Sequence, residues 1–382
     1  MRFAASEALT FGLELELQIV DRATGLLTPG GVALRAAFEG SEDEARFALE
    51  ATQATIEFNS SIHRDPARMH QEVDEKVRLL CDAAAERGLI LRGGGTQIAQ
   101  FWNERVMTPS ARAVELEARF GFLPKRFSTY GMHVHVGMPD AEAAIRVANV
   151  LQALCPLFIA MSAASPFLQN TDSRFAASRP LESLVYPSGG PMPFLEDWAH
   201  FEIVAQEFFD TGLARSLKDI YWDVRPKPEF GTIEVRVFDT PLSTRKAVEL
   251  AAWTRSIAAA TLRDALVLPE SVIGSAMTTA ARVSRFMACR DGMAAKLFNP
   301  FSGTWTDASR WMDELEAMLL ARRDVPADLP HIESLCARIR QREDHGWMRE
   351  QWSLASVGSA PGAVTPDALV RYSGALGEVL LT

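Results

Sequence analysis

Four short segments carry acidic, imidazole or guanidinium side chains at every second position. Phe11 to Leu17 reads Phe-Gly-Leu-Glu-Leu-Glu-Leu, and Thr55 to Phe58 reads Thr-Ile-Glu-Phe. Gly131 to Gly137 reads Gly-Met-His-Val-His-Val-Gly, and Thr232 to Val237 reads Thr-Ile-Glu-Val-Arg-Val. In an extended chain, residues i and i+2 share a face and lie about 7 Å apart. Each segment therefore offers an apolar face to a core. The polar faces hold Glu14 and Glu16, Glu57, His133 and His135, and Glu234 and Arg236. Taken singly, each has an ordinary explanation: glutamates on a solvated edge strand, or a hydrogen-bonded core histidine. Taken together, converging carboxylates would raise one another's pKa unless cations compensated. Glutamate oxygens with an imidazole suit magnesium or manganese, ions that also bridge nucleotide phosphates.

Arginines supply a second kind of chemistry. Arg225 stands in Trp222-Asp223-Val224-Arg225-Pro226-Lys227-Pro228-Glu229, and Arg236 shares a segment with Glu234. Guanidinium groups bind carboxylate or phosphate oxygens bidentately and keep their charge. Pro226 and Pro228 stiffen the backbone beside Arg225 and Lys227. A surface loop with ordinary basic residues is the competing reading, more so for Lys227. Arg282, Arg285 and Arg290 fall on one helix, whose face is either solvated or a phosphate contact. Gly93 to Gly95 is followed by Thr96-Gln97 and lacks the lysine of a P-loop. No GxGxxG opens a helix after a strand, and GxSxG is absent. A bound nucleotide would therefore sit on the sheet and its metals.

The elements that must position these residues divide the chain in two. Phe11–Val20, Ala48–Asn59, Met132–Val136 and Gly231–Phe238 read as strands, with a hairpin tip at Thr24-Gly25. Arg68–Arg87 is a helix stopped by Gly88, and Asp140 caps a long helix from Ala141. Leu89–Leu91 leads into Gly93–Gly95, read as a flexible loop. Residues 165–200, rich in Pro, Ser and Gly, read as an extended loop over a pocket, and 222–228 as loop. After Pro241, helices follow at Ser243–Val267, Ser275–Arg290, Ala308–Arg323, His331–Trp352 and Pro366–Leu381. The expectation is an α+β fold over residues 1–382, its sheet-forming motifs in 8–240 and its helical part in 243–382.

Hydrophobic residues make up 48% of the 382 and charged residues 23%, which places the chain among globular proteins with a sizeable core. A formal charge of -10 argues against nucleic acid as a partner, without excluding a small phosphorylated ligand in a local basic pocket. Cys81, Cys155, Cys289 and Cys336 form no CxxC pair and read as free thiols in a reducing compartment. The N-terminus has no continuous apolar run resembling a signal peptide, so a cytoplasmic location is expected. Val147–Ala164 is the most apolar stretch. Asn149, Gln152 and Pro156 interrupt it, so it reads as a core helix and no membrane association is expected. A homodimer is compatible with the sequence.

Five motifs in this order resemble the type 2 glutamate–cysteine ligase family of carboxylate–amine ligases. They are Phe11–Glu16, Arg92–Thr96, Gly131–Gly137, Tyr221–Val237 and Arg285–Gly292, and the likeness runs from about residue 8 to 300. Leu13 and Met132 stand where relatives vary, and Ser284 stands where Asn is expected. The resemblance implies a glutamine synthetase-type catalytic fold. Its antiparallel sheet forms an active-site funnel, with metals at the base and helices packed outside. It implies Glu14, Glu16, Glu57, His133 and Glu234 as magnesium ligands, with Glu50 as another acidic ligand. It sets His135 nearer the nucleotide and Arg236 nearer the phosphates, has Arg225 and Arg236 stabilise the transferring charge as catalytic residues, and counts His135, Arg225, Lys227 and Arg236 as nucleotide-binding. The implied reaction uses ATP and Mg²⁺, or Mn²⁺, to join a carboxylate such as glutamate to an amine such as cysteine through an acyl phosphate. Weak activity on that pair leaves another amine open. A phosphotransferase of the related guanidino-kinase fold and a non-catalytic regulatory relative are the alternatives.

Overall fold

The computed structural model describes residues 1–126, 129–270, 275–360 and 362–382. An eleven-residue strand, β1 (Phe11–Asp21), organises the sheet. On one side it pairs with β3 (Thr55–Asn59), which pairs in turn with β2 (Phe47–Leu49). On the other side its first half pairs with β5 (Gly131–Gly137) and its second half with β4 (Leu89–Arg92). Beyond β5 lie β7 (Thr232–Asp239) and then β6 (Val224–Lys227) at the edge. All pairings in this seven-stranded sheet are antiparallel.

Strict alternation makes the sheet two-faced. Leu13, Leu15, Leu17, Ile56, Phe58, Met132, Val134, Val136, Ile233 and Val235 are buried together in one core. Helices α1 (Pro66–Ala85), α3 (Ala141–Ser162) and α4 (Thr244–Leu262) cover that face. A shorter helix, α2 (Ala111–Phe120), lies between α1 and α3 in sequence and belongs to the opposite, polar side. Asp140 caps α3 by accepting from the Ala143 amide. This helix is long and apolar enough to cross a membrane, yet 89% of its most apolar window is buried inside the protein, as a core helix requires. The four cysteines are free.

Several boundaries depart from the sequence reading. Residues 222–228 are not loop: Val224–Lys227 is an edge strand, where Pro226 is tolerated because an edge strand does not need its every amide in a ladder. The expected strand 48–59 is two strands, and Glu50 falls in the connection between them. The expected helix 331–352 is two helices, Leu329–Gln341 and Asp344–Ala355. Extended backbone at Arg342 and Glu343 separates them, and the Glu343 carboxylate accepts from the Met293 amide. Gly93–Gly95 is not a flexible loop. Gln18 Nε2 donates to the carbonyls of Gly93, Gly94 and Thr96, and a β-carbon at Gly93 would collide with the Pro241 carbonyl. Residues 165–200 carry short ordered pieces, including a helical turn at Arg179–Glu182. The helix Ser275–Asp291 matches its expected start.

Candidate active site

Antiparallel register brings the polar residues onto one face in rows. Glu14 stands across from His133 on β5 and Asn59 on β3. Glu16 stands across from Glu57, His135 across from Glu234, and Arg225 across from Glu234. Oxygen and nitrogen atoms within 4.8 Å of one another form three overlapping groups. They are Glu14, Glu57 and His133; Glu14, His135 and Glu234; and Glu16, Glu50 and Glu57. All six expected ligands are thus brought together, and His135 joins them.

The groups differ in how their charge is matched. Glu14 meets His133 Nδ1 at 2.7 Å and His135 Nε2 at 3.1 Å. Burial works to raise its pKa, but the two imidazoles prevail and hold the carboxyl far below the usual range. Glu234 takes two bonds from Arg225, at 2.8 and 3.0 Å, and another from Arg236. Burial again opposes, and the two guanidiniums again prevail, so its pKa is depressed. Burial lowers Arg225, whereas the charges of Glu234 and Glu14 overcome burial at Arg236 and raise it. Burial, then the Arg236 charge, pushes His133 down toward the neutral imidazole.

Glu16, Glu50 and Glu57 face one another instead. Burial raises all three, and at Glu57 the charges of Glu50, Glu14 and Glu16 add to it. Two ionised carboxylates 4.8 Å apart repel by about 3 kcal/mol at an effective dielectric near ~20. The donors against this are few: Asn59 Nδ2 on Glu57 at 2.9 Å, the Gly131 amide on Glu16, and the Ala51 amide on Glu50 at 3.3 Å. An all-oxygen group carrying this repulsion fits a hard divalent cation, and so do the imidazole-containing groups beside it.

A cavity of about 440 Å³ opens at this crowded end. Glu16, Glu50, His133 and Arg236 are among the residues that line it. At the other end, His135 Nδ1 meets Thr232 Oγ1 at 3.0 Å, and the His135 ring lies 6.2 Å from Phe230. Lys227 sits over Phe230 and pairs with Glu229 at 2.7 Å, so it flanks the groups without entering them. The basic helix cluster splits: Arg285 is buried against Asp223 and lines the cavity, whereas Arg282 and Arg290 are exposed. Ser284 Oγ accepts from the Phe298 amide, a structural role.

Sequence reasoning passed over Asn59, Thr232 and Arg179. The first two sit at i+2 and i-2 from Glu57 and Glu234, so the alternation contained them. Arg179 gives no such signal. Its guanidinium donates to the carbonyls of Arg236, Val237 and Phe238, where the β5–β7 register shifts. Its charge acts on Glu16 and Asp239, and a β-carbon on Gly131 would collide with it.

A family model described as Glutamate-cysteine ligase family 2 (GCS2) matches residues 10–370. The chain is 36% identical over 358 residues to "Putative glutamate--cysteine ligase 2" of Janthinobacterium sp. (strain Marseille), covering 93% of this chain and 94% of that protein. A protein of the same name from Laribacter hongkongensis (strain HLHK9) is 39% identical over 298 residues, 78% of this chain and 79% of that protein. Among solved structures, a glutamate–cysteine ligase from Francisella tularensis in complex with AMP matches with a TM-score of 0.65 at 13% identity. It covers 98% of this chain and 90% of that one. A bifunctional glutathione synthetase from Pasteurella multocida matches with a TM-score of 0.67 at 12% identity, over 96% of this chain and 52% of that one. At such identities the likeness is one of fold.

Proposed function

The chain belongs to glutamate–cysteine ligase family 2, and on that premise we propose that it is an ATP-dependent carboxylate–amine ligase. Three metal-sized groups, linked through Glu14 and Glu57 and gathered at one sheet face, carry this reading. The polar face is the wall of a funnel of the glutamine synthetase type. Glu14, Glu16, Glu50, Glu57, His133 and Glu234 would hold Mg²⁺ or Mn²⁺. Such ions, when bound, neutralise phosphate oxygens and hold them in line for transfer.

In this reading a substrate carboxylate oxygen attacks the γ-phosphorus of ATP, the bond to the β-phosphate oxygen breaks, and ADP leaves. The amine nitrogen then attacks the acyl carbon of the resulting acyl phosphate. Phosphate departs, the nitrogen loses a proton, and an amide remains. Arg236, held over Glu234 and His133, stabilises charge on the transferring group. Arg225 fixes the Glu234 carboxylate through a two-pronged bond, with its remaining nitrogen on the carbonyls of Leu217 and Ile220. His135, Lys227 and Phe230 form the end assigned to the nucleotide, and the cavity beside Glu16 is assigned to the carboxylate and amine. Glutamate is the carboxylate that family membership favours, and cysteine one amine to be tried.

The test measures ADP and phosphate release with Mg-ATP, glutamate and a panel of amines. Equal release of both with amide formation is expected. A phosphorylated acceptor without free phosphate would make the protein a phosphotransferase, and no nucleotide turnover with any amine would sink the ligase reading.

A further inference from the structure

The cavity beside the crowded carboxylates has two chemically different parts. One part is charged, with Glu16, Glu50, His133 and Arg236. The rest of its lining is largely apolar, with Met107, Pro109, Leu116, Pro124 and Trp222, and holds Ser110 and Arg112 among them. From this division we infer that the amine acceptor is a primary amine bearing a bulky apolar body, an aralkyl or branched alkyl group. The inference rests on the ligase reading and names the acceptor class for that site.

Three observations carry it. The wall and the carboxylates move as one piece. Met107 bridges Thr52, the Gln53 amide donates to the Val106 carbonyl at 2.9 Å, and the Thr108 amide donates to the Ala51 carbonyl at 2.9 Å. The residues so tied follow Glu50 directly, so the apolar wall keeps a fixed distance from the reacting centre. Helix α2, which supplies Leu116, buries none of its ten residues fully in the protein's own core. Leu116 is half-buried toward the cavity while Val114 is 69% exposed. The helix thus presents apolar surface to the cavity that the fold does not itself cover. Finally, glutamate and cysteine cannot fill this wall. One is charged at both ends, and the other offers a single methylene and a thiol. Each methylene buried there is worth about fourfold in kcat/KM.

The experiment compares phenethylamine with cysteine as acceptor, with Mg-ATP and glutamate saturating. Phosphate release is expected to show at least tenfold higher kcat/KM for phenethylamine. In Leu116→Asp, and less severely in Leu116→Ala, the phenethylamine-to-cysteine ratio should fall by at least tenfold. Thermal unfolding is to check that both variants are folded. Calorimetric titration of phenethylamine into the wild type provides a readout without turnover. Binding with a negative heat-capacity change, lost in Leu116→Asp, is expected. Binding of this kind without any ADP formation would keep the apolar pocket and discard the ligase reading. Equal or better use of cysteine would overturn the inference while leaving the ligase standing. So would absence of phenethylamine binding, or its competition by ADP, which would give the wall to the nucleotide base.

Discussion

The two ends of the polar sheet face are built from the same residue type and behave oppositely. At one end, Glu14 lies against two imidazoles and Glu234 against two guanidiniums, and both carboxyls are strongly acidic. At the other, Glu16, Glu50 and Glu57 lie against one another, and all three are weakened as acids. The first end is charge-matched by the chain itself. The second has weaker help, from His133 and Arg179 at Glu16 and from Arg236 at Glu50, and burial outweighs it. Burial is similar at both ends, so the neighbours across the ladder decide the sign. Stability and ligand binding are therefore separable within one site.

Two alanine variants test this separation and carry the largest effects. Glu16→Ala and Glu234→Ala should each reduce Mg²⁺-dependent ADP formation by about a thousandfold or more. Their unfolding temperatures should move apart. Glu16→Ala relieves repulsion and should leave the metal-free protein as stable as before or more so. Glu234→Ala strands two buried guanidiniums and should cost about 3–5 kcal/mol in chemical denaturation. Equal destabilisation by both would remove the distinction between the ends.

Glu57→Gln sharpens it at a smaller scale. Mn²⁺ affinity, followed by calorimetry, should weaken at least tenfold while the metal-free protein gains stability. The pH dependence follows from the same three carboxyls. Their folded-state pKa values lie above the unfolded value of about 4.3. Their contribution to stability is full below that value and is lost as pH rises through the folded values. Glu14 and Glu234, depressed, contribute stability above the unfolded value, and lose it as pH falls. The gap in unfolding temperature between Mn²⁺-loaded and metal-free protein should therefore widen as pH increases above about 4.3. A gap that is flat with pH would contradict the raised pKa values. The smallest effect belongs to Thr232→Val, which removes the His135 Nδ1 partner. KM for ATP should rise about two- to fivefold with kcat nearly unchanged.

The faces of the strands were legible because period-two alternation is a local property, and Glu14, Glu16, His133 and Glu234 stand on it. Asn59 and Thr232 obey the same rule and could have been read with them. Glu50 does not: it lies off the ladder, and only resemblance to a family pointed to it. Pro226 disguised an edge strand as a loop, because the cost of a missing amide depends on whether a neighbour strand needs it. Arg179 and the register shift it satisfies, and the break at Arg342 and Glu343, depend on contacts far apart in sequence. No local pattern encodes them.

Glu14 belongs to the first strand of the sheet and Glu234 to the last, 220 positions later. During synthesis at about 5–20 residues per second, the ribosome needs at least ~11 s to emit the chain between them. Through that interval β1 can already pair with β3 and β5, so Glu14, Glu57 and His133, and Glu16, Glu50 and Glu57, can gather before Glu234 exists. Only the third group, Glu14, His135 and Glu234, waits for β7. Competence therefore arrives late, when β7 docks on β5 and brings Glu234 and Arg236. A terminated fragment lacking that strand would keep two cation-sized groups without the residues that complete the site.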